Sequence, residues 1–214
     1  MTSTDALIRD LSADLAPVQR RSPRREAAAL LALGGTELAL ILLCGVMRPD
    51  MGQVIPAPFM VWKIGGLAVL AVASCAAAMR SFAPPTASRT GLALLPGLAA
   101  LMLLGGVFVT DAADSSRSLM ERLAPAHGML CTVAIVLLAL PLIALFAVLM
   151  RRGAAVRPAR SAWASGIAAS TCGALIFTAC CPMNDPLYIA VWYSAGVVIV
   201  TAAARWLLPR RFQL

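Results

Sequence analysis

Residues 129–150 read MLCTVAIVLLALPLIALFAVLM, 22 residues with no charge among them. As a helix rising about 1.5 Å per residue, this run spans the ~30 Å hydrocarbon core of a bilayer. A transmembrane barrel strand would alternate apolar and polar residues, and this run does not. Five further apolar runs accompany it: Ala27–Val46, Phe59–Met79, Leu92–Thr110, Trp163–Cys181 and Leu187–Leu208. Lipid offers a backbone N–H or C=O no partner, so each run is expected to be helical.

Composition agrees. The chain has 214 residues, of which 60% are hydrophobic and 13% charged, with a mean hydropathy of +0.84. A soluble domain is typically about 45–50% apolar and about 25% charged. A soluble enzyme and a free nucleic-acid binder are excluded as first readings. The expected fold class is all-α: an integral membrane bundle of six transmembrane helices with a short cytoplasmic N-terminal amphipathic helix. The expected units are a cytoplasmic tail at 1–26, the membrane bundle at 27–208 and a short cytoplasmic tail at 209–214.

The basic residues orient the bundle. If the N-terminus is cytoplasmic, 14 arginines fall in inside segments and only Arg48, Arg117 and Arg122 fall outside. That asymmetry follows the positive-inside rule. An inner-membrane protein with both termini in the cytoplasm is expected. The first apolar run is longer than the core of a signal peptide, and no small-x-small cleavage site follows it, so it is expected to be retained.

Within the tail, Ser3 or Thr4 can cap a helix, and Asp5 suits its first turn. Leu7, Ile8, Leu11 and Leu15 then share one helical face. Pro17 ends the helix. Three turns are too few to be stable alone in water, so the apolar face needs a protein groove or the membrane surface. Acidic Asp5, Asp10 and Asp14 outnumber Arg9, which disfavours an anionic lipid surface and favours a protein groove.

None of the six cysteines lies in a cytoplasmic segment. Cys44, Cys131, Cys180 and Cys181 are expected at the outer ends of helices, on the side where disulfides can persist. Cys75 and Cys172 lie deeper and read as small core residues. Two prolines make Cys181-Pro182-Met183-Asn184-Asp185-Pro186 a rigid turn that presents a thiol, an amide and a carboxylate together. His127 lies one helical turn before Cys131. A redox pair is one expectation for Cys131 and Cys181, with Cys180 beside them. The other is a transient soft-metal site (zinc, cadmium or similar) made of Cys131, Cys181, His127 and Asp185. No resident cofactor and no enzymatic activity are expected. Inside the membrane, Glu37 and Lys63 are expected to form an ion pair, because a lone charge at that depth is costly.

Three features, taken together, carry a family resemblance. They are the tail from Leu7 to Val18, Arg48-Pro49-Asp50 after the first span, and Cys181-Pro182-Met183-Asn184-Asp185-Pro186-Leu187 followed by Trp192. In these the chain resembles the NrsF family of six-helix bacterial anti-sigma factors. The resemblance implies a partner, an extracytoplasmic-function (ECF) sigma factor of the sigma-F type. It would be held by Leu7, Ile8, Leu11, Asp14, Leu15 and Val18, with no direct contact to nucleic acid. It also implies that Cys131 and Cys181 register heavy metal or oxidant. The alternative is a small membrane transporter of soft metals of the mercury type, prompted by the adjacent Cys180 and Cys181. A thiol relay would also need cytoplasmic acceptor thiols, and the chain has none.

Overall fold

The computed structural model describes residues 12–13, 22–82, 89–109, 118–153 and 157–210. All its described elements are α-helices: α1 Pro23–Leu43, α2 Met51–Val54, α3 Pro58–Ser81, α4 Arg89–Val107, α5 Leu119–Leu123, α6 Pro125–Arg152, α7 Pro158–Phe177 and α8 Pro186–Arg210. The six long helices match the six apolar runs within a few residues. Prolines fix several starts: Pro23, Pro58, Pro125 and Pro158 occupy first-turn positions, where a missing N–H costs nothing. The expected N-terminal amphipathic helix lies outside the described residues, apart from Ser12 and Ala13.

Four helical segments are each long and apolar enough to cross a membrane: Pro23–Leu43, Pro58–Ser81, Leu119–Arg152 and Pro186–Leu208. The other two long helices are not among them. In α4, the described apolar stretch is only Ala93–Gly106. The case of α7 follows from its place in the fold. It packs against α3, α6 and α8, and its buried residues include Ser161, Ala162, Ser165, Gly166, Ala168, Ala169, Thr171 and Gly173. A helix that meets other helices rather than lipid needs small side chains more than apolar ones. A Cβ on Gly166 would stand 2.7 Å from Thr201 Cα, and one on Gly173 would stand 3.1 Å from Ile135 O. Hydroxyls on α7 bond back into their own helix, as where Ser165 donates to Ser161 O at 2.8 Å and Thr171 to Ile167 O at 2.8 Å, or across to α3, where Ser161 donates to Ser81 O at 3.1 Å. These bonds satisfy groups that have no water to turn to.

The core has two centres. One gathers the C-terminal halves of α3, α6 and α8 with the start of α7, around Phe82, Phe146, Leu149, Ala162 and Leu208. The other lies at the opposite end and holds Leu67, Cys131, Ile135, Ala174, Cys181, Tyr188, Ile189 and Tyr193. Around both, large apolar side chains such as Leu31, Val72, Leu101, Leu130, Val198 and Trp206 point outward. Such an outward apolar surface fits lipid rather than water.

The second centre depends on one close contact. A Cβ on Gly128 would sit 2.0 Å from Trp192 Cε2. The indole cannot swing away freely, because Trp192 Nε1 donates to Leu123 O at 2.8 Å. Gly128→Leu should therefore destabilise the fold by about 3 kcal/mol or more, at the upper end of overpacking costs. Thermal unfolding of the purified protein in detergent would show it as a fall in midpoint. An unchanged midpoint would mean that the indole is not seated on the α6 backbone.

Candidate functional site

The site begins with the turn after α7. Pro182 cannot extend a helix, and the chain leaves α7 at Phe177, four residues short of the expected end at Cys181. Cys181 is fully buried and Cys131, on the first turns of α6, is 6% exposed. Their thiols lie close enough to act on each other electrostatically. Cys131 Sγ also shares a hydrogen bond with Tyr188 OH at 2.9 Å, and Cys181 Sγ approaches Met183 O at 4.0 Å. Two residues 50 positions apart in sequence thus meet as a thiol pair.

Lys63 joins them. It is fully buried. Its ammonium donates to Met183 O at 3.2 Å and stands 5.3 Å from the centre of the Tyr193 ring. The electrostatic neighbours of Lys63 include Cys181, Cys131 and Arg48 but no carboxylate. The expected Glu37–Lys63 ion pair is not formed. Glu37 sits on α1, which packs on α6 and α7, and both its carboxyl oxygens are buried without a hydrogen-bond partner. Lys63 reaches instead along α3 to the 181–186 turn.

Two arginines clamp that turn. Arg48 is 6% exposed. Its Nε and Nη2 donate to the Asp50 carboxylate at 2.7 and 2.6 Å. Its Nη1 donates to Asn184 Oδ1 at 3.1 Å and Cys181 O at 3.4 Å. The Arg48 backbone N–H donates to Ala179 O at 3.1 Å. Arg48-Pro49-Asp50 and the Cys181 turn are therefore one latch. The hydrogen bonds from Arg48 hold the Asp50 carboxyl below its ordinary range, and Asp50 in return raises the guanidinium. On the other side, Arg122 Nε and Nη2 donate to Asp185 at 2.7 and 3.0 Å. Asp185 also accepts the Leu187 N–H at 2.8 Å, satisfying an orphan donor at the start of α8. Burial pushes the Asp185 carboxyl upward, but these bonds, with the Arg122 charge, more than offset it and hold it low.

Of the four proposed metal ligands, Cys131 and Cys181 come together, whereas His127 is exposed and Asp185 is committed to Arg122. Among the described residues no three His, Cys, Asp or Glu side chains are placed to hold an ion. Cys180 is half-buried beside the pair. The tail residues Leu7, Ile8, Leu11, Asp14, Leu15 and Val18 lie outside the described residues. Arg122, Tyr188 and Tyr193 complete the site beyond the residues expected from the sequence. The signal for the tyrosines was present, since a Tyr in an apolar segment needs a partner for its hydroxyl. So was the Ser118-x-x-Glu121 capping box that starts α5 and brings Arg122 to Asp185.

Residues 11–213 match the family model described as negative regulator of sigma F. The chain belongs to the NrsF family. It is 29% identical over 211 residues to the anti-sigma-F factor NrsF of Caulobacter vibrioides, covering 96% of this chain and 98% of that one. It is 26% identical over 203 residues to the probable anti-sigma-F factor NrsF of Azospira oryzae, covering 93% of each. No solved structure matches. The NrsF match runs through both sides of the latch, the thiol pair and Lys63.

Proposed function

We propose that this NrsF-family protein holds an ECF sigma factor of the sigma-F type through its N-terminal tail. It would do so from the bacterial inner membrane, and release it when soft metal or oxidant reaches Cys131 and Cys181. The observation that carries this reading is the meeting of Cys131, Cys181 and Lys63 beneath a turn latched by Arg48 and Arg122. The bundle would cross the bilayer six times. At 20 residues, α7 covers about 30 Å, and it borrows its apolar surroundings from α3, α6 and α8. The arginine asymmetry puts both termini in the cytoplasm. The thiol pair then lies at the periplasmic end, and the tail is at the other.

The chemistry follows from the charges. A buried ammonium without a carboxylate favours an anion beside it, and here that anion is thiolate on Cys181. A soft cation would take both sulfurs as thiolates, and the one proton still on Cys131 would leave to water. A two-electron oxidant would join them. Either event displaces Lys63 and Tyr188 from their present partners and strains the turn between α7 and α8. The signal must then cross the bilayer as a shift of packed helices between two discrete arrangements. Releasing most of the sigma factor needs several kcal/mol of difference in tail affinity, and a reversal from 99:1 to 1:99 needs about 5.5 kcal/mol.

The test is sigma-dependent transcription in cells carrying Cys131→Ser or Cys181→Ser. Cadmium should induce a reporter in the wild type and leave it near its basal level in both variants. An undiminished response in both would remove the thiols from the mechanism.

A further inference from the structure

A second pair of cysteines meets inside the bundle. Cys75 on α3 and Cys172 on α7 bring their sulfurs to 3.6 Å, although the two residues stand 97 positions apart. The contact is not a loose encounter. One residue earlier on each helix, Ser74 Oγ and Thr171 Oγ1 share a hydrogen bond at 2.9 Å. Both of those residues are buried, so the register of α3 against α7 is pinned beside the thiols. Each thiol is itself half-buried and packs against the apolar core of the first centre, so neither sulfur is sealed off. The site is separate from Cys131 and Cys181. Cys172 lies nine residues before Cys181, about 13 Å along a helix.

We propose that Cys75 and Cys172 are a second redox site, which closes to a disulfide when an organic hydroperoxide dissolved in the bilayer reaches it. Glu37 lies close enough to Cys172 to act on it electrostatically, but among the described residues no three His, Cys, Asp or Glu are placed to hold an ion, so the geometry favours thiol–disulfide chemistry over a metal. The sulfurs stand in contact and must close by about 1.5 Å to reach a bond length near 2.05 Å. In the first step one sulfur attacks the hydroperoxide. An S–O bond forms, the O–O bond breaks, and the thiol proton leaves with the lipid alcohol. In the second step the other sulfur displaces hydroxide from the sulfenic acid. The S–S bond forms, the S–O bond breaks, and the second thiol proton leaves in water. The two thiols lose two electrons and the hydroperoxide gains them. A hydroperoxide dissolved in the bilayer meets this half-buried pair directly, whereas a polar oxidant must first leave water for an apolar seam. The closing step is helped because its partner is already in place. The product fixes α3, which carries Lys63, onto α7, which leads into Cys181.

The experiment uses the full-length wild-type protein in nanodiscs doped with phospholipid hydroperoxide, with hydrogen peroxide at equal dose as comparison. Free thiols are alkylated after denaturation and the peptides are mapped by mass spectrometry. The expected result is a linked Cys75–Cys172 peptide, lighter by two hydrogens, forming an order of magnitude faster with the lipid hydroperoxide. Cys172→Ser should abolish the link. The proposal is overturned if both cysteines stay fully alkylatable at a dose that oxidises exposed Cys44. It is equally overturned if they oxidise without joining, or if hydrogen peroxide joins them as fast.

Discussion

Leu11→Asp should weaken binding of the cognate sigma factor by about 100-fold or more. Leu7, Ile8, Leu11 and Leu15 share one face of the proposed tail helix, and Leu11 is central to it. Burying a leucine contributes about 1.5–3 kcal/mol. An aspartate in its place would forfeit that and bring an unpaired carboxylate into an apolar groove. Together these exceed about 3 kcal/mol, which corresponds to a loss of more than about 100-fold. The tail should not fold differently when free, since three turns have little stability of their own to lose. The control is Asp10→Ala, on another face of the same helix, which should leave the affinity within about threefold. Titration of labelled sigma factor against the full-length protein in nanodiscs gives both numbers. Equal affinities for wild type and Leu11→Asp would place the contact elsewhere.

Lys63→Met should slow the reaction of Cys181 with a maleimide by about tenfold or more at neutral pH. Methionine keeps the length and apolar stem of lysine while removing the charge. Lys63 is fully buried, held by Met183 O and by the face of Tyr193. Without it, Cys181 loses the cation that favours its thiolate, and the reactive fraction falls about tenfold for each unit by which the thiol rises above the ambient pH. Exposed Cys44 supplies an internal standard, because nothing about its surroundings changes. The same variant should lose cadmium-induced release while still binding sigma factor through the tail. Arginine at 63 should not restore the wild-type rate, because its planar fork does not fit a space shaped to one ammonium. If Lys63→Met reacts as fast as the wild type, the ammonium is structural only.

The fold was legible because hydrocarbon imposes one demand on every span. Six apolar runs became six long helices, with ends displaced by a few residues. The tail of α7 shows the limit: apolar character continues to Cys181, but Pro182 and the turn before it end the helix at Phe177. Low hydropathy in α7 carried information of another kind, because its Ser, Gly and Ala face helices rather than lipid. In the site, depth brought Cys131 and Cys181 to the same end of the bundle, Cys131 at the start of its run and Cys181 at the end of its own. Their neighbours were not readable in this way. Depth placed Glu37 and Lys63 within reach of each other, whereas helix packing put α1 against α6 and α7 and sent Lys63 to the 181–186 turn. Azimuth around a helix decides such partners, and an apolar run carries little record of it. The Cys75–Cys172 contact was missed for the same reason: each looks like a small core residue until α3 is set against α7.

The most direct test of the central claim is the affinity of the sigma factor for the full-length protein in nanodiscs, measured with and without cadmium. The account predicts tight binding without the metal and binding at least about tenfold weaker with it, a difference of about 1.4 kcal/mol or more, abolished by Cys131→Ser. The same affinity in both conditions, or no binding in either, would contradict it.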